Sequence, residues 1–153
     1  MITGFHHSGF VVQDLDKMVD FYCDVLGLRV EREIPKSGPH RIDPLGMQGA
    51  ARAIVFIGGG DTPQQLELER YIEPPSPTLQ VPFHAVGASH VCFNVDNVDE
   101  TYRELDSKGV RLLSTPVAVA APPGYSSRFC CALDPEGNRL EFREYKHVDR
   151  PDS

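Results

Sequence analysis

The chain has 153 residues, 41% hydrophobic and 24% charged, which suits one ordinary globular domain and sets disorder and fibrous folds aside. With 22 acidic against 15 basic residues its net charge is −7, a sign that repels phosphate backbones and sets nucleic acid aside as a partner. No apolar run approaches the roughly 20 residues of a membrane span.

The opening MITGFHHSGF has no basic stretch followed by an apolar run, so a cytoplasmic location is expected. From His7 to Val12 the sequence predicts a strand, and Asp14 or Asp16 offers the N-cap of a helix. Val19, Tyr22, Val25 and Leu26 recur at helical spacing, and Gly27 stops the helix. Strands are expected at 28–34, 53–57 and 65–71, with a Gly/Pro-rich loop over 35–52. Gly58-Gly59-Gly60-Asp61 is a turn, not a phosphate loop, because no Lys-Ser/Thr follows it. The segment 73–87, with four prolines, reads as a linker. Beyond it come a strand from Val91 to Val95, a cap at Asn97 or Asp99, and a helix burying Tyr102 and Leu105 that Gly109 closes. Further strands are expected at 111–119, 127–133 and 139–145, with a loop at 120–127, a turn over Asp134–Asn138 and a frayed tail at 147–153. Cys23, Cys92, Cys130 and Cys131 form no CxxC pattern and read as free thiols.

The chain repeats itself. HSGFVVQDLDKMVDFYCDVLGL (7–28) lies over HVCFNVDNVDETYRELDSKGV (90–110), and LELERY (66–71) matches LEFREY (140–145). Each unit reads as strand, helix, further strands. Side chains alternate across a strand, so Leu66 and Leu68 oppose Glu67 and Glu69, while Leu140 and Phe142 oppose Arg139, Glu141 and Arg143. His90 shares its face with Cys92 and Asn94, away from Val91, Phe93 and Val95. His7 fits the same parity, and His6 falls on the helix side. A lone His or Glu on a strand is ordinarily just solvated. Four at equivalent places of a repeat, His7, Glu67, His90 and Glu141, suggest two units bringing two imidazoles and two carboxylates together. Such a set suits one divalent ion, Zn, Ni, Co, Mn or Fe, and neutralises its charge.

HHSGFVVQDLDKMVDFYCDVLGL, LELERY, SHVCFNVDNVDETY and DPEGNRLEFRE together resemble the vicinal oxygen chelate superfamily over roughly residues 4–145. The resemblance implies an α+β fold in one domain: two βαβββ modules, about 4–72 and 88–146, forming an open U-shaped mixed sheet around a metal site. The positions matching the family's ligands are His7, Glu67, His90 and Glu141. Having all four favours the isomerase, epimerase and lyase branch, of the glyoxalase type. The alternatives are an iron-dependent extradiol dioxygenase and a non-catalytic small-molecule-binding protein.

The activity so implied is proton transfer on a small molecule whose two neighbouring oxygens chelate the metal, through an enediolate-like intermediate. Glu141 and Glu67 are the candidate bases by resemblance. A homodimer is expected. Arg139 and Arg143 share parity with Glu141 and are either anion-binding or surface charge; Cys92 reads as a packed thiol. His40, Arg41, Arg52 and Tyr125 are loop candidates for choosing the substrate.

Overall fold

A computed structural model describes residues 1–35, 45–59 and 63–148. The chain forms two compact units, Met1–Val81 and Pro82–Ser153. The first contains β1 (His7–Val11), α1 (Leu15–Asp20), β2 (Arg29–Ile34), β3 (Ala51–Gly58) and β4 (Gln65–Glu73). Their sheet runs β1-β4-β3-β2, with β1 parallel to β4 and the other pairs antiparallel. The second contains β5 (His90–Asn94), α2 (Val98–Ser107), β6 (Arg111–Leu112), β7 (Val117–Val119), β8 (Tyr125–Leu133) and β9 (Arg139–His147). Its sheet runs β5-β9-β8-β6, again with the first strand parallel to the last, and β7 pairs with β8. The class is α+β, as expected, and each unit carries a mixed sheet of its own.

Period-two alternation decides what each sheet buries. In the first unit Ser8 and Phe10 lie opposite Leu66 and Leu68, and these in turn lie beside Ile57 and Val55. Leu66, Leu68, Val55, Ile57 and Phe10 are all buried, and α1 packs on β3 and β4. In the second unit Leu140, Phe142, Cys130 and Ala132 are buried likewise, with α2 packed on β8 and β9. Each such large side chain contributes about 1.5–3 kcal/mol by leaving water. The opposite face carries the charged side chains, with Ile54 and Phe56 among them in the first unit and Phe129 in the second.

The caps resolve in favour of the earlier residue of each pair. Asp14 accepts the Lys17 N–H at 3.2 Å, and Asn97 accepts the N–H groups of Asp99 and Glu100, both at 3.1 Å. Gly27 and Gly109 close the two helices at φ 74° and 73°, a left-handed conformation that a Cβ would strain. The buried stripe of the first helix differs from the expected one. It is Leu15, Met18, Phe21 and Tyr22, with Val19, Val25 and Leu26 only half-buried. After Asp20 the helix widens into a π turn over Phe21–Val25, where the Leu26 N–H reaches the Phe21 carbonyl at 3.2 Å. Leu15, Met18 and Tyr22 keep the i, i+3, i+7 spacing of a regular helix. In α2 the buried residues are Val98 and Leu105, and Tyr102 is half-buried.

The strand expected at 111–119 is broken in two. Ser114 Oγ accepts the Cys131 N–H at 3.2 Å, taking the place of a ladder carbonyl, and Pro116 has no N–H to offer. At the other end β9 continues through His147, which pairs with Tyr125, so the expected tail is strand at its start. Residues 149–153 and the turn residues Gly60 and Asp61 lie outside the described residues. Among the described residues no helix is long and apolar enough to cross a membrane.

One buried carboxylate ties α2 to its sheet. Glu144, on the helix side of β9, accepts the Val98 N–H at 2.9 Å and pairs with Lys146 at 2.9 Å. The Lys146 hydrogen bond, opposed by burial and aided by the Val98 N–H, holds its acid below the usual value of 4.5. Because the folded form has the lower pKa, this contribution is complete above that value and is lost as pH falls through the folded one. Glu144→Ala is expected to cost about 1–2 kcal/mol in urea unfolding at pH 7. The difference between variant and parent should shrink below pH 4.5.

Candidate functional site

On the polar face of the first unit, β1 and β3 flank the central strand β4. Glu67 stands opposite Gly9 on one side and Phe56 on the other. His7, two residues before Gly9, turns its Nε2 to 3.4 Å from Glu67 Oε2. The side chains are 38% and 17% exposed, so the pair is reachable from solvent. The His7 ring stands edge-on to Phe56 with centroids 5.4 Å apart. His6 does not fall on the helix side as parity predicts. The strand begins at His7, so alternation does not govern His6, and its Nδ1 lies 2.7 Å from His7 Nδ1 with its ring edge-on to Phe56. One of these two nitrogens donates and the other accepts, which orients the His7 ring with Nε2 toward Glu67.

The second unit repeats the construction. Glu141 on β9 stands opposite Cys92 on β5 and Cys131 on β8. His90, two residues before Cys92, places Nε2 3.8 Å from Glu141 Oε2. Its other nitrogen, Nδ1, lies 2.8 Å from an Arg139 guanidinium N–H. A guanidinium only donates, so a metal held at Nε2 would need this Arg139 contact to open and leave the ring proton on Nδ1. The second oxygen, Oε1, is held by the Cys92 thiol at 3.4 Å and faces Arg143 Nε at 3.4 Å. Partial burial first, then the Glu141 carboxylate, push the Cys92 thiol up to about 12. The thiol donates to Glu141, and Cys92 is exposed rather than packed in the core as expected. Cys131 is raised by the same two causes. All four cysteines are free. Nothing in the sequence near Cys131 marks it as a neighbour of Glu141; only the β8–β9 register does.

The structure therefore joins His7 to Glu67 and His90 to Glu141, at matching register in the two units. Among the described residues no group of three or more His, Cys, Asp or Glu side chains is close enough to hold one ion. The pair is what each unit builds. Two ligand atoms each about 2.0–2.1 Å from a divalent ion stand about 3.0–3.4 Å apart. The His7–Glu67 separation falls in that range and the His90–Glu141 separation slightly beyond it. Imidazole nitrogen with carboxylate oxygen is also the donor chemistry that borderline divalent metals take. The residues fit such an ion two donors at a time.

Of the loop candidates, His40 and Arg41 lie outside the described residues. Tyr125 is the first residue of β8, edge-on to His147 at 5.3 Å. Arg52 is not in a loop but in β3, where it forms an ion pair with Glu69 on the polar face. Burial works against the Arg52 guanidinium, but the hydrogen bond and charge of Glu69, with Tyr71, raise its pKa overall. The pair is mostly enclosed, at 19% and 11% side-chain exposure, so its role is structural.

The family profile described as Glyoxalase/Bleomycin resistance protein/Dioxygenase superfamily matches residues 4–142. The chain belongs to that superfamily. Its members typically bind a divalent metal. Similar to it is the mitochondrial methylmalonyl-CoA epimerase of Mus musculus, 30% identical over 116 residues, which cover 76% of this chain and 59% of that protein. The chain thus spans less than two thirds of that relative's length. The 2-epi-5-epi-valiolone epimerase of an Actinomyces species is 27% identical over 141 residues, covering 90% of this chain and 76% of that one. Among solved structures, a glyoxalase family protein from Bacillus cereus shares the fold with a TM-score of 0.77 at 23% identity, covering 95% of each chain.

Removing one partner of the Arg52–Glu69 pair leaves the other enclosed and uncompensated. Arg52→Met is expected to lower stability by about 3 kcal/mol. The double variant Arg52→Met, Glu69→Leu should lose clearly less than the sum of the single changes in denaturant unfolding.

Proposed function

We propose that this chain is a divalent-metal-dependent epimerase acting on a small molecule with two neighbouring oxygens, and that His7, Glu67, His90 and Glu141 are the metal's ligands. The observation that carries the reading is the duplicated pair, an imidazole Nε2 facing a carboxylate Oε2 at 3.4 Å in one unit and 3.8 Å in the other. Epimerase relatives support it: the mouse protein is named for methylmalonyl-CoA and the Actinomyces protein for 2-epi-5-epi-valiolone. Members of the superfamily often form dimers, and the four donors come from one chain or from two copies in a homodimer.

When bound, the metal supplies Lewis acidity, drawing electron density from a substrate carbonyl oxygen and making the adjacent C–H acidic. The chain's own work is to move that proton. One glutamate, as the carboxylate, takes it from one side of the carbon; the other, as the carboxylic acid, gives its own proton to the opposite side, inverting the centre, and exchange with water resets the pair. The two are not held alike. Glu141 Oε1 is engaged by Cys92 and faces Arg143, whereas Glu67 Oε1 makes no hydrogen bond among the described residues and overlooks Gly9, which has no side chain. Glu67 is accordingly the freer of the two to swing toward a substrate carbon. A ring-cleaving oxygenase would have no use for this second carboxylate, and the equal placement of Glu67 and Glu141 favours the two-carboxylate reaction.

Protein purified without chelator should carry one divalent ion per chain by elemental analysis. In deuterated water it should exchange the proton at the inverted carbon of an epimerisable 2-substituted 3-oxo acid or thioester. Glu67→Gln and Glu141→Gln should each cut interconversion by about 10²–10⁴-fold. Absence of metal after supplementation with Zn, Ni, Co, Mn and Fe, or unchanged exchange in the double variant, would contradict the proposal.

A further inference from the structure

The two His–Glu pairs differ in what stands beside the histidine. The parallel register sets His7 opposite Gln65, the first residue of β4, and His90 opposite Arg139, the first residue of β9. A glutamine side chain carries both a donor and an acceptor, so it tolerates a ring proton on either imidazole nitrogen. His6, whose Nδ1 lies 2.7 Å from His7 Nδ1, is equally adaptable, since a neutral imidazole gives or takes at that atom according to its tautomer. His7 can therefore leave Nε2, the atom 3.4 Å from Glu67 Oε2, unprotonated for a metal without losing a partner.

Arg139 allows no such choice. Its guanidinium lies 2.8 Å from His90 Nδ1 and has only donors to offer. While that contact stands, Nδ1 accepts, and the single proton of the neutral ring is on Nε2, the atom 3.8 Å from Glu141 Oε2. A coordinating imidazole nitrogen carries no proton. His90 is thus held in the one neutral tautomer that cannot bind a metal through the nitrogen facing Glu141. The guanidinium has a second resting place, because its central carbon is 5.7 Å from the ring of half-exposed Phe83, within cation–π range.

Resting on the metal-site reading above, we propose that Arg139 is a latch on the second pair, keeping His90 from the metal until the guanidinium swings off Nδ1. Release moves the ring proton from Nε2 to Nδ1 through solvent, so the ring carries one proton before and after. The first pair has no such latch, and His7 with Glu67 takes up the ion before His90 does. Arg139 acts through His90 as a positioning residue. It sets how readily the site fills and which pair fills first.

The test is zinc titration of the metal-free full-length protein, with histidine ¹⁵N signals showing which ring nitrogen carries the proton. His90 should carry it on Nε2 before zinc and on Nδ1 after. Arg139→Gln gives His90 the neighbour that His7 has; it should bring the His90 proton to Nδ1 before zinc is added and tighten zinc binding at least about tenfold. Gln65→Arg should do the reverse, building the latch on His7 and weakening zinc binding at least about tenfold. Both effects should persist in about 0.5 M salt, where a Debye length of about 4 Å screens the charge change itself. Arg29→Gln on exposed β2 removes the same charge and should leave zinc affinity unchanged. If one variant does not fold, the other and the wild-type tautomer decide. A proton on His90 Nδ1 in the metal-free wild type, or zinc affinity that ignores the variants or follows them only at low salt, overturns the latch and leaves His90 as a ligand. Zinc that never reaches His90 Nε2 removes the ligand itself, and the latch falls with it.

Discussion

The structure depends on one constraint: the last strand of each unit is central, and its side chains alternate between leucine or phenylalanine and charge. On β4 that means Leu66 and Leu68 against Glu67 and Glu69; on β9, Leu140 and Phe142 against Glu141 and Arg143. Burying the apolar set under a helix drives folding, and period two then sends Glu67, Glu69 and Glu141 to the other face. The parallel pairing with the first strand finishes the work. It sets Gly9 opposite Glu67 and Cys92 opposite Glu141, so the histidine two residues earlier leans onto the carboxylate. A slip of one residue would expose the leucines and bury the glutamates, which is why the register is secure where the chemistry needs it.

This coupling explains why so much was legible in advance. The repeat of LELERY and LEFREY, with a histidine opening each unit, carries both the core pattern and the polar pair, because one alternation encodes them together. The helix caps at Asp14 and Asn97 and the stops at Gly27 and Gly109 were local signals read locally. What escaped was whatever depends on partners distant in the chain. Arg52 looked like a loop arginine because its partner, Glu69, is reached only through the β3–β4 register. His6 was assigned by an alternation that starts one residue after it. The π turn at Phe21–Val25 changes the helical period, which a fixed 3.6-residue template does not anticipate. Ser114 ended a strand by a side-chain hydrogen bond to the Cys131 N–H, which propensity alone does not reveal.

The two units are alike in frame and unlike in furniture. Beside Glu67 there is Gly9 and the ring of Phe56; beside Glu141 there are two thiols and, one step along, an arginine. The first arrangement leaves a carboxylate free to move, and the second restrains one with hydrogen bonds and charge. Duplication supplies the His–Glu pattern, and divergence of the flanking residues makes its two copies unlike.

The proposed site uses the duplicated His–Glu pairs as the metal's donors and leaves out the nearby thiols. X-ray absorption on the zinc-loaded protein tests that directly. The account predicts a coordination shell of nitrogen and oxygen at about 2.0–2.1 Å with two imidazoles per metal. Sulfur scattering at about 2.3 Å, from Cys92 or Cys131, or a shell with fewer than two imidazoles, would contradict it.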